Sequence, residues 1–329
     1  MEINFGKNVT DEFIKEKLSW DSDYIIKTAR RLSKLSNLKQ KKCYLCGGTK
    51  SRKVNRFYGI NYLRCEKCSH VYADKRLSEK ALRKFYAEDV GYSTHGYANK
   101  KILKMREDLF LSKIQYIKKY AVGKNWLDVG SADGAAVAAI IKEGFNCTGI
   151  EISKNSRAFA KKYRNLDLYH KPLEIFVKES KKKWDVVSFF GVLEHLPDPL
   201  DALRISNQLL AKNGIIAIEV PNYDSISTCV QSLSNVTDRH LVPYGHIMVF
   251  TLESAKYCLQ KTGFKPIAVW DFGMDTIELL KYMRRKDKKF ANSKIYEILC
   301  KKVNEIQRIF DEATMGDCLL IMGKKVKSL

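Results

Sequence analysis

The chain has 329 residues, 45% of them hydrophobic and 29% charged, enough apolar material for a sizeable core and enough length for two domains or one with large additions. No run approaches the ~18 uncharged apolar residues of a membrane span. The first twenty residues carry acids and lack an apolar h-region, so a secretory leader is not expected and the chain reads as a folded cytoplasmic protein.

Net charge is +22, from 59 Lys and Arg against 37 Asp and Glu, and it is unevenly spread. Residues 1–122 carry +15, residues 123–272 carry +2 and residues 273–329 carry +5. A basic N-terminal third attracts phosphate, in a nucleic acid or in a phosphorylated small molecule. Of the 59 cations 44 are Lys, however, which suits solvated helix faces more than the bidentate phosphate recognition typical of Arg.

In chain order, residues 11–40 show a helical period through Phe13, Ile14, Leu18, Ile25, Ile26, Ala29, Leu32 and Leu35. A compact cysteine-rich segment follows over 41–72, and residues 73–122 read as a helical connector, broken by GYSTHG at 91–96. From Trp126 short apolar strands alternate with helices: WLDVG, NCTGIEIS, WDVVSFFGVL and GIIAIEVPN read as parallel strands, with helices such as AAVAAIIKEG between them. This is a doubly wound α/β pattern over 123–329, interrupted by a lysine-rich helical insertion at about 274–312. GDCLLIMGKK then reads as a strand that joins the sheet late.

Cys43 and Cys46, then Cys65 and Cys68, form two CxxC pairs with 18 residues between them. Two residues between thiols let one tight turn aim both at a single ion, and Gly47 and Gly48 permit the turn behind the first pair. Four thiolates suit tetrahedral Zn²⁺, and a closed site of this kind folds its module and leaves no open position for chemistry. Redox CxxC motifs and two disulfides are the alternatives; a basic cytoplasmic chain disfavours disulfides. His70 stands near enough to replace a ligand.

The segment Trp126-Leu-Asp-Val-Gly-Ser-Ala-Asp-Gly134 is a strand entering a glycine turn that opens a helix. Gly130 lets backbone approach a ligand, and the helix start offers unpaired N–H groups. Seventeen residues after Gly134, Glu151 closes the next strand, where a carboxylate can accept both hydroxyls of a ribose. A dinucleotide turn would be richer in glycine than Ala132 and Ala135 allow, and no GxxxxGK[ST] loop is present.

LDVGSADG, GIEIS, WDVVSFFGVLEHLPDP, IAIEVPN and GHIMVFTLESAKYCLQKTGF together resemble a class I S-adenosylmethionine-dependent methyltransferase over about 123–270, plus the strand near 317–323. The implied fold is a doubly wound, mostly parallel, seven-stranded Rossmann-like methyltransferase sheet, preceded by an N-terminal helical segment and a small zinc-ribbon-like module. The Cys₄ segment with RCEKCSHVYADKRLSEKALRKFYAEDVGY resembles a subgroup associated with glycan and nucleotide-sugar biosynthesis. The resemblance implies that Asp128, Gly130 and Gly134, with Ser131 and Asp133, cradle the methionine part of the cofactor. Glu151, with Ile152 beside it, holds the ribose; Leu173 and Glu174 fall where the family contacts adenine, after the third strand; Phe190 and Gly191 close the fourth. Lys171-Pro172 replaces the family's usual Asp before the adenine segment.

Methyl transfer from a sulfonium requires an aligned nucleophile and a proton acceptor, and His suits neutral pH. Glu194 and His195 follow the fourth strand. Some ubiquinone-pathway and small-RNA methyltransferases place an E-x-x-E-H segment there to hold a divalent metal; Gly191 replaces the first Glu, leaving two ligands at most. Helix capping is the plain alternative for this pair. His240 and His246 follow the fifth strand, and His246, just before the family's F-T pair, is the expected proton acceptor. Asn222 could bond substrate or make a turn. Tyr92, His95 and Tyr97 are candidates for a lid.

Three functions follow from this reading. The first is a methyltransferase acting on a hydroxyl, or a carbon, of a nucleotide-linked sugar or glycan precursor, whose diphosphate faces the basic third. The second is an RNA methyltransferase that uses the basic zinc module, although the segment lacks the Arg and exposed aromatics suited to base stacking. The third is an inactive scaffold, which the intact loop and Glu151 disfavour.

Overall fold

A computed structural model describes residues 1–4, 23–88, 100–234 and 239–327. Residues 11–22 of the expected helical segment 11–40, and the lid candidates Tyr92, His95 and Tyr97, lie outside the described residues.

Along the chain, β1 (Glu2–Asn4) and α1 (Asp23–Leu35) precede β2 (Leu38–Lys39), β3 (Ser51–Phe57), β4 (Ile60–Cys65), β5 (Val71–Ala73) and β6 (Lys75–Arg76). The connector holds α2 (Glu79–Glu88) and α3 (Lys100–Lys118). The α/β region runs β7 (Asn125–Val129), α4 (Ala135–Lys142), β8 (Asn146–Ile150), α5 (Lys154–Arg164), α6 (Leu173–Glu179), β9 (Trp184–Phe190), α7 (Pro199–Leu209) and β10 (Leu210–Pro221). It continues with α8 (Ile226–Ser234), β11 (Met248–Val249), α9 (Leu252–Lys261) and β12 (Phe264–Phe272). The insertion is four short helices, α10 (Asp275–Lys286), α11 (Lys288–Ala291), α12 (Lys294–Lys301) and α13 (Val303–Glu312), and β13 (Cys318–Lys325) ends the fold.

The central sheet has seven strands in the order β1-β12-β13-β10-β9-β7-β8. β13 runs antiparallel between β10 and β12, and the remaining pairings are parallel. This is the mostly parallel, late-joined sheet expected from the sequence, with one rearrangement. The third crossover yields no strand: Tyr169 makes a single bridge to Ile150, and Pro172, which has no N–H to add to a ladder, already caps α6. The seventh strand is β1 instead, pairing Glu2–Asn4 with Ala268–Trp270.

The apolar runs alternate sides, as a sheet covered on both faces requires. Leu127, Val187, Phe189, Ile216, Ile218 and Ile321 enter one core beneath α6, α7 and α9, while Trp126, Val186, Ile215, Ala217 and Leu320 enter the other beneath α3 and α4. The cysteine segment is not a separate body. Cys43, Leu45, Cys65, Cys68 and Tyr72 belong to the first of these cores. Its sheet, β11-β5-β4-β3, takes β11 from the α/β region. The insertion packs its own small core of Ile277, Leu280 and Val303 against Met105 of α3. No helix is long and apolar enough to cross a membrane among the described residues.

Candidate functional site: donor pocket, histidine cluster and cysteine centre

The four cysteines converge. Cys43 Sγ lies 3.5 Å from Cys68 Sγ and Cys46 Sγ 3.4 Å from Cys65 Sγ, with all four within 4.8 Å of one another. Four sulfurs on 2.3 Å arms around a tetrahedral zinc ion stand about 3.8 Å apart, so the set fits that ion. The two turns share one design. Gly47 N–H donates to Cys43 O and Ser69 N–H to Cys65 O, both at 3.0 Å, while Cys43 N–H and Cys65 N–H donate back to Gly48 O and His70 O. Gly47 and Ser69 both adopt the left-handed conformation. A Cβ at Gly48 would lie 3.2 Å from Cys46 Sγ, so the close approach of backbone to thiolate requires glycine. His70 is not a fifth donor: its ring is buried edge-on to Phe250, with Nδ1 3.4 Å from Ser254 Oγ.

At the C-terminal ends of β7 and β8 the glycine turn and Glu151 form one wall of a cavity of about 250 Å³. Gly130 has φ 77°, and a Cβ there would come within 2.5 Å of Val192, so this turn admits only glycine. Glu151 accepts from Ala132 N–H at 2.8 Å and from Ser153 N–H at 2.7 Å, which fastens the end of β8 to the turn. Each carboxylate oxygen keeps a lone pair for a further donor, and burial raises the Glu151 pKa. Ile150, Ile152, Leu173 and Glu174 line the same cavity, as does Gly130.

Other members of the expected donor set stand behind this wall. Asp128 is buried, accepts from Ser188 Oγ at 2.6 Å and has its pKa pushed up to about 6 by burial. Ser131 Oγ donates to Asp128 O. Asp133 is taken up by Arg106 and Arg164, whose guanidinia hold it below the usual carboxylate range although burial works the other way. Phe190 packs edge-on to Phe110. Gly134 opens α4 with φ 77°, and Gly191 lines a second cavity.

The second cavity, about 210 Å³, opens at the same sheet edge across Glu194. Its charges are internally matched. Lys113 donates to both oxygens of Glu219 at 3.0 and 2.7 Å, with its ammonium 5.0 Å from the ring centroids of Phe110 and Phe272. Arg239 forks onto Asp317 through Nε and, at 2.8 Å, through NH2.

Between the cavities stand Glu194, His195 and His246, whose donor atoms lie within 4.8 Å of one another. Their protonation follows from their partners. His195 Nδ1 is 2.9 Å from the Gly245 carbonyl and His246 Nδ1 is 2.9 Å from the His240 carbonyl. A carbonyl only accepts, so both Nδ1 atoms carry the proton and both Nε2 atoms present lone pairs. Burial pushes His195 down to about 4 and lowers His246 well below its ordinary value, with His195 itself contributing. Both rings are therefore neutral at pH 7. Glu194 is pushed up to about 8 by burial, with Glu219 adding to the shift, and its Oε2 has no hydrogen-bond partner. His246 supplies a third donor, which corrects the sequence expectation of two ligands at most.

Two other candidates are placed differently. His240 lines the second cavity, with Nε2 3.5 Å from Asp317 Oδ2 and 3.7 Å from Cys318 Sγ, and burial, then Arg239, lowers its pKa. Asn222 is engaged in its turn: Nδ2 donates to Gly316 O at 2.9 Å and Oδ1 accepts from Asp224 N–H. Sequence reasoning missed Tyr86, Lys113, Glu219, Arg239 and Asp317. One signal was available: an antiparallel strand presents its start at the edge where parallel strands end, which brings Asp317 and Cys318 to the crevice.

Residues 102–269 match the family described as Methyltransferase domain. Among curated relatives, a ubiquinone biosynthesis O-methyltransferase from Actinobacillus pleuropneumoniae serotype 7 is 30% identical over 122 residues, covering 33% of this chain and 52% of the relative. One from Aromatoleum aromaticum is 26% identical over 167 residues, covering 48% and 67%. The chain spans about half the length of most of the curated relatives it matches. A solved SAM-dependent methyltransferase from Archaeoglobus fulgidus superposes with TM-score 0.47 at 19% identity, over 69% of this chain and 97% of that one. With half of its length matched to that family, and with a doubly wound sheet carrying a glycine turn at the crevice, the chain belongs to the methyltransferase domain family.

Proposed function

We propose that the protein is an S-adenosylmethionine-dependent methyltransferase that methylates a hydroxyl of a small molecule. The observation that carries this reading is the cavity walled by Gly130, Glu151 and Leu173, with the neutral imidazole of His195 in its lining and the adjacent Glu194 lining a second cavity. The donor residues fit the cofactor. Gly130 brings backbone to the cavity wall, Glu151 offers acceptors to two ribose hydroxyls, and Ile150, Ile152 and Leu173 give an apolar bed for adenine. When bound, the cofactor supplies an electrophilic methyl on a sulfonium.

The chain's own residues would then orient the acceptor and take its proton. His195 lines the donor cavity with its proton on Nδ1 and is assigned as proton acceptor, backed by His246. Glu194, held protonated near neutral pH, hydrogen-bonds rather than repels an acceptor oxygen. The same three donors would also suit a divalent cation, and dialysis against chelator separates the two roles: proton transfer by His195 survives it, metal dependence does not. The Cys₄ centre is assigned structural zinc.

The O-methyltransferase names of the relatives support a hydroxyl acceptor. In the second cavity both cations are neutralised by carboxylates, so the part of the acceptor seated there is uncharged. A nucleotide-linked sugar would hold its diphosphate outside, toward exposed cations such as Arg52, Lys53 and Arg56. Labelled methyl transfer to a panel of hydroxylated small molecules, nucleotide-sugars and total RNA tests the reading. Label in a small molecule is expected; label confined to RNA overturns it.

A further inference from the structure

Tyr86 was not singled out by any sequence pattern, yet its hydroxyl lies 2.8 Å from His195 Nδ1 and 3.3 Å from Gly245 O. The three groups close a small ring with one consistent set of protons. Nδ1–H points to the Gly245 carbonyl and to the lone pair of the phenol, and the phenol donates its own proton to the same carbonyl. In the opposite arrangement the phenol would donate to Nδ1, setting a bare nitrogen lone pair against a carbonyl oxygen at 2.9 Å, an electrostatic repulsion in a buried site. The Tyr86 and His195 rings meet edge-to-face at 5.3 Å, and Phe85 packs edge-on to both Tyr86 and Tyr244.

We propose that Tyr86 is a positioning residue: its hydroxyl shares the Nδ1–H of His195 with the Gly245 carbonyl and so reinforces the tautomer and ring orientation that turn Nε2 toward Glu194, which makes the readiness of this imidazole depend on docking of α2. This rests on the assignment of His195 as the proton acceptor. Glu79, Leu82 and Tyr86 of α2 all line the donor cavity, so the helix that fixes the imidazole also walls the cofactor site. His246 differs instructively. Its Nδ1 is held by the His240 carbonyl six residues away, whereas His195 Nδ1 is shared between the Gly245 carbonyl and a hydroxyl 109 residues upstream.

The test reads tautomers directly and needs no acceptor. Long-range ¹H–¹⁵N spectra of the histidine side chains are recorded at pH 7 on ¹⁵N-labelled protein, free and with S-adenosylhomocysteine. His195→Asn assigns the His195 signals, and Tyr86→Phe removes the hydroxyl while keeping the ring. In the wild type His195 is expected to show a protonated-type Nδ1 and an unprotonated-type Nε2. In Tyr86→Phe the Gly245 carbonyl still accepts from Nδ1 but the second partner is gone, so this separation narrows without reversing, while the pattern of His246 is retained and shows that the site is still folded. A wild-type His195 protonated at Nε2 overturns the proposal, as does a Tyr86→Phe spectrum identical to wild type. Failure of S-adenosylhomocysteine to bind contradicts the donor-pocket reading instead, and the tautomer is still read on the free protein.

Discussion

On the donor side of the crevice, the groups assigned to grip the cofactor lie between Asp128 and Glu174, carried by two strand ends and the turns that follow them, while α2 and the segment after β9 complete the lining. On the side of the second cavity, Lys113, Glu194, Glu219, Arg239 and the Asp317 that Arg239 holds come from five separate elements or loops, and Tyr86, His195 and His246 meet beside them. The donor side is held mainly by backbone: Glu151 fastens to two N–H groups, and Gly130 N–H and Ser131 N–H donate to Ile150 O. The acceptor side is held by side-chain pairs and by the cysteine module, whose Tyr62 donates to His246 O at 2.9 Å and whose β5 pairs with β11 just beyond it. A backbone-built pocket tolerates changes at a distance. An acceptor site assembled across the fold does not.

That contrast governs what could be read in advance. The glycine turn, Glu151 and the two CxxC turns are local patterns, in which a few consecutive residues fix the geometry, and they were legible. The Glu194–His195 pair was legible as a pair, but its third donor required knowing that the loop after β10 folds back across the sheet edge. Asp133 read as a cofactor contact because it lies within the loop; two arginines from α3 and α5 claim it, and neither is a sequence neighbour. The exchange of the third strand for β1 has the same origin, since the strand potential of residues 165–172 is cut short by Pro172 while the distant N-terminus finds the open edge of β12.

The largest effect is expected from the cysteine centre. Chelation of zinc, or Cys65→Ser, should speed amide exchange across 241–250 well before 126–129, because the first segment leans on the module and the second is central in the sheet. Uniform acceleration would erase the distinction between the two sides. Next, His195→Asn should cut turnover by about 10²–10⁴-fold and His246→Ala by less, with S-adenosylhomocysteine affinity changing far less than turnover in His195→Asn. The reverse order would move the proton acceptor to His246.

The smallest effect is on stability. Burial first, with neighbouring carboxylates adding, raises Asp271 and Asp275 to about 8 and Asp311 to about 7, all beside the second cavity. Acids with raised native pKa values keep protons that the unfolded chain releases, so their stabilisation is full below about pH 4 and is lost as pH rises toward 8. Buried His195 and His246, with lowered pKa values, act the other way up to about pH 6.5, so the melting temperature should fall between pH 6.5 and 8.5. Asp271→Asn, which keeps an acceptor for Gly316 N–H, should flatten that slope by a few degrees. An unchanged slope would show that Asp271 is not among the protons held.

The most direct measurement is calorimetric titration of S-adenosylhomocysteine into wild-type protein and into Glu151→Ala. Saturable one-to-one binding to the wild type, weakened by about 10²-fold or more in the variant while its melting curve stays cooperative, is what the account requires. Equal affinity in the two proteins, or no heat from either, would contradict the assignment of this cavity as the donor pocket.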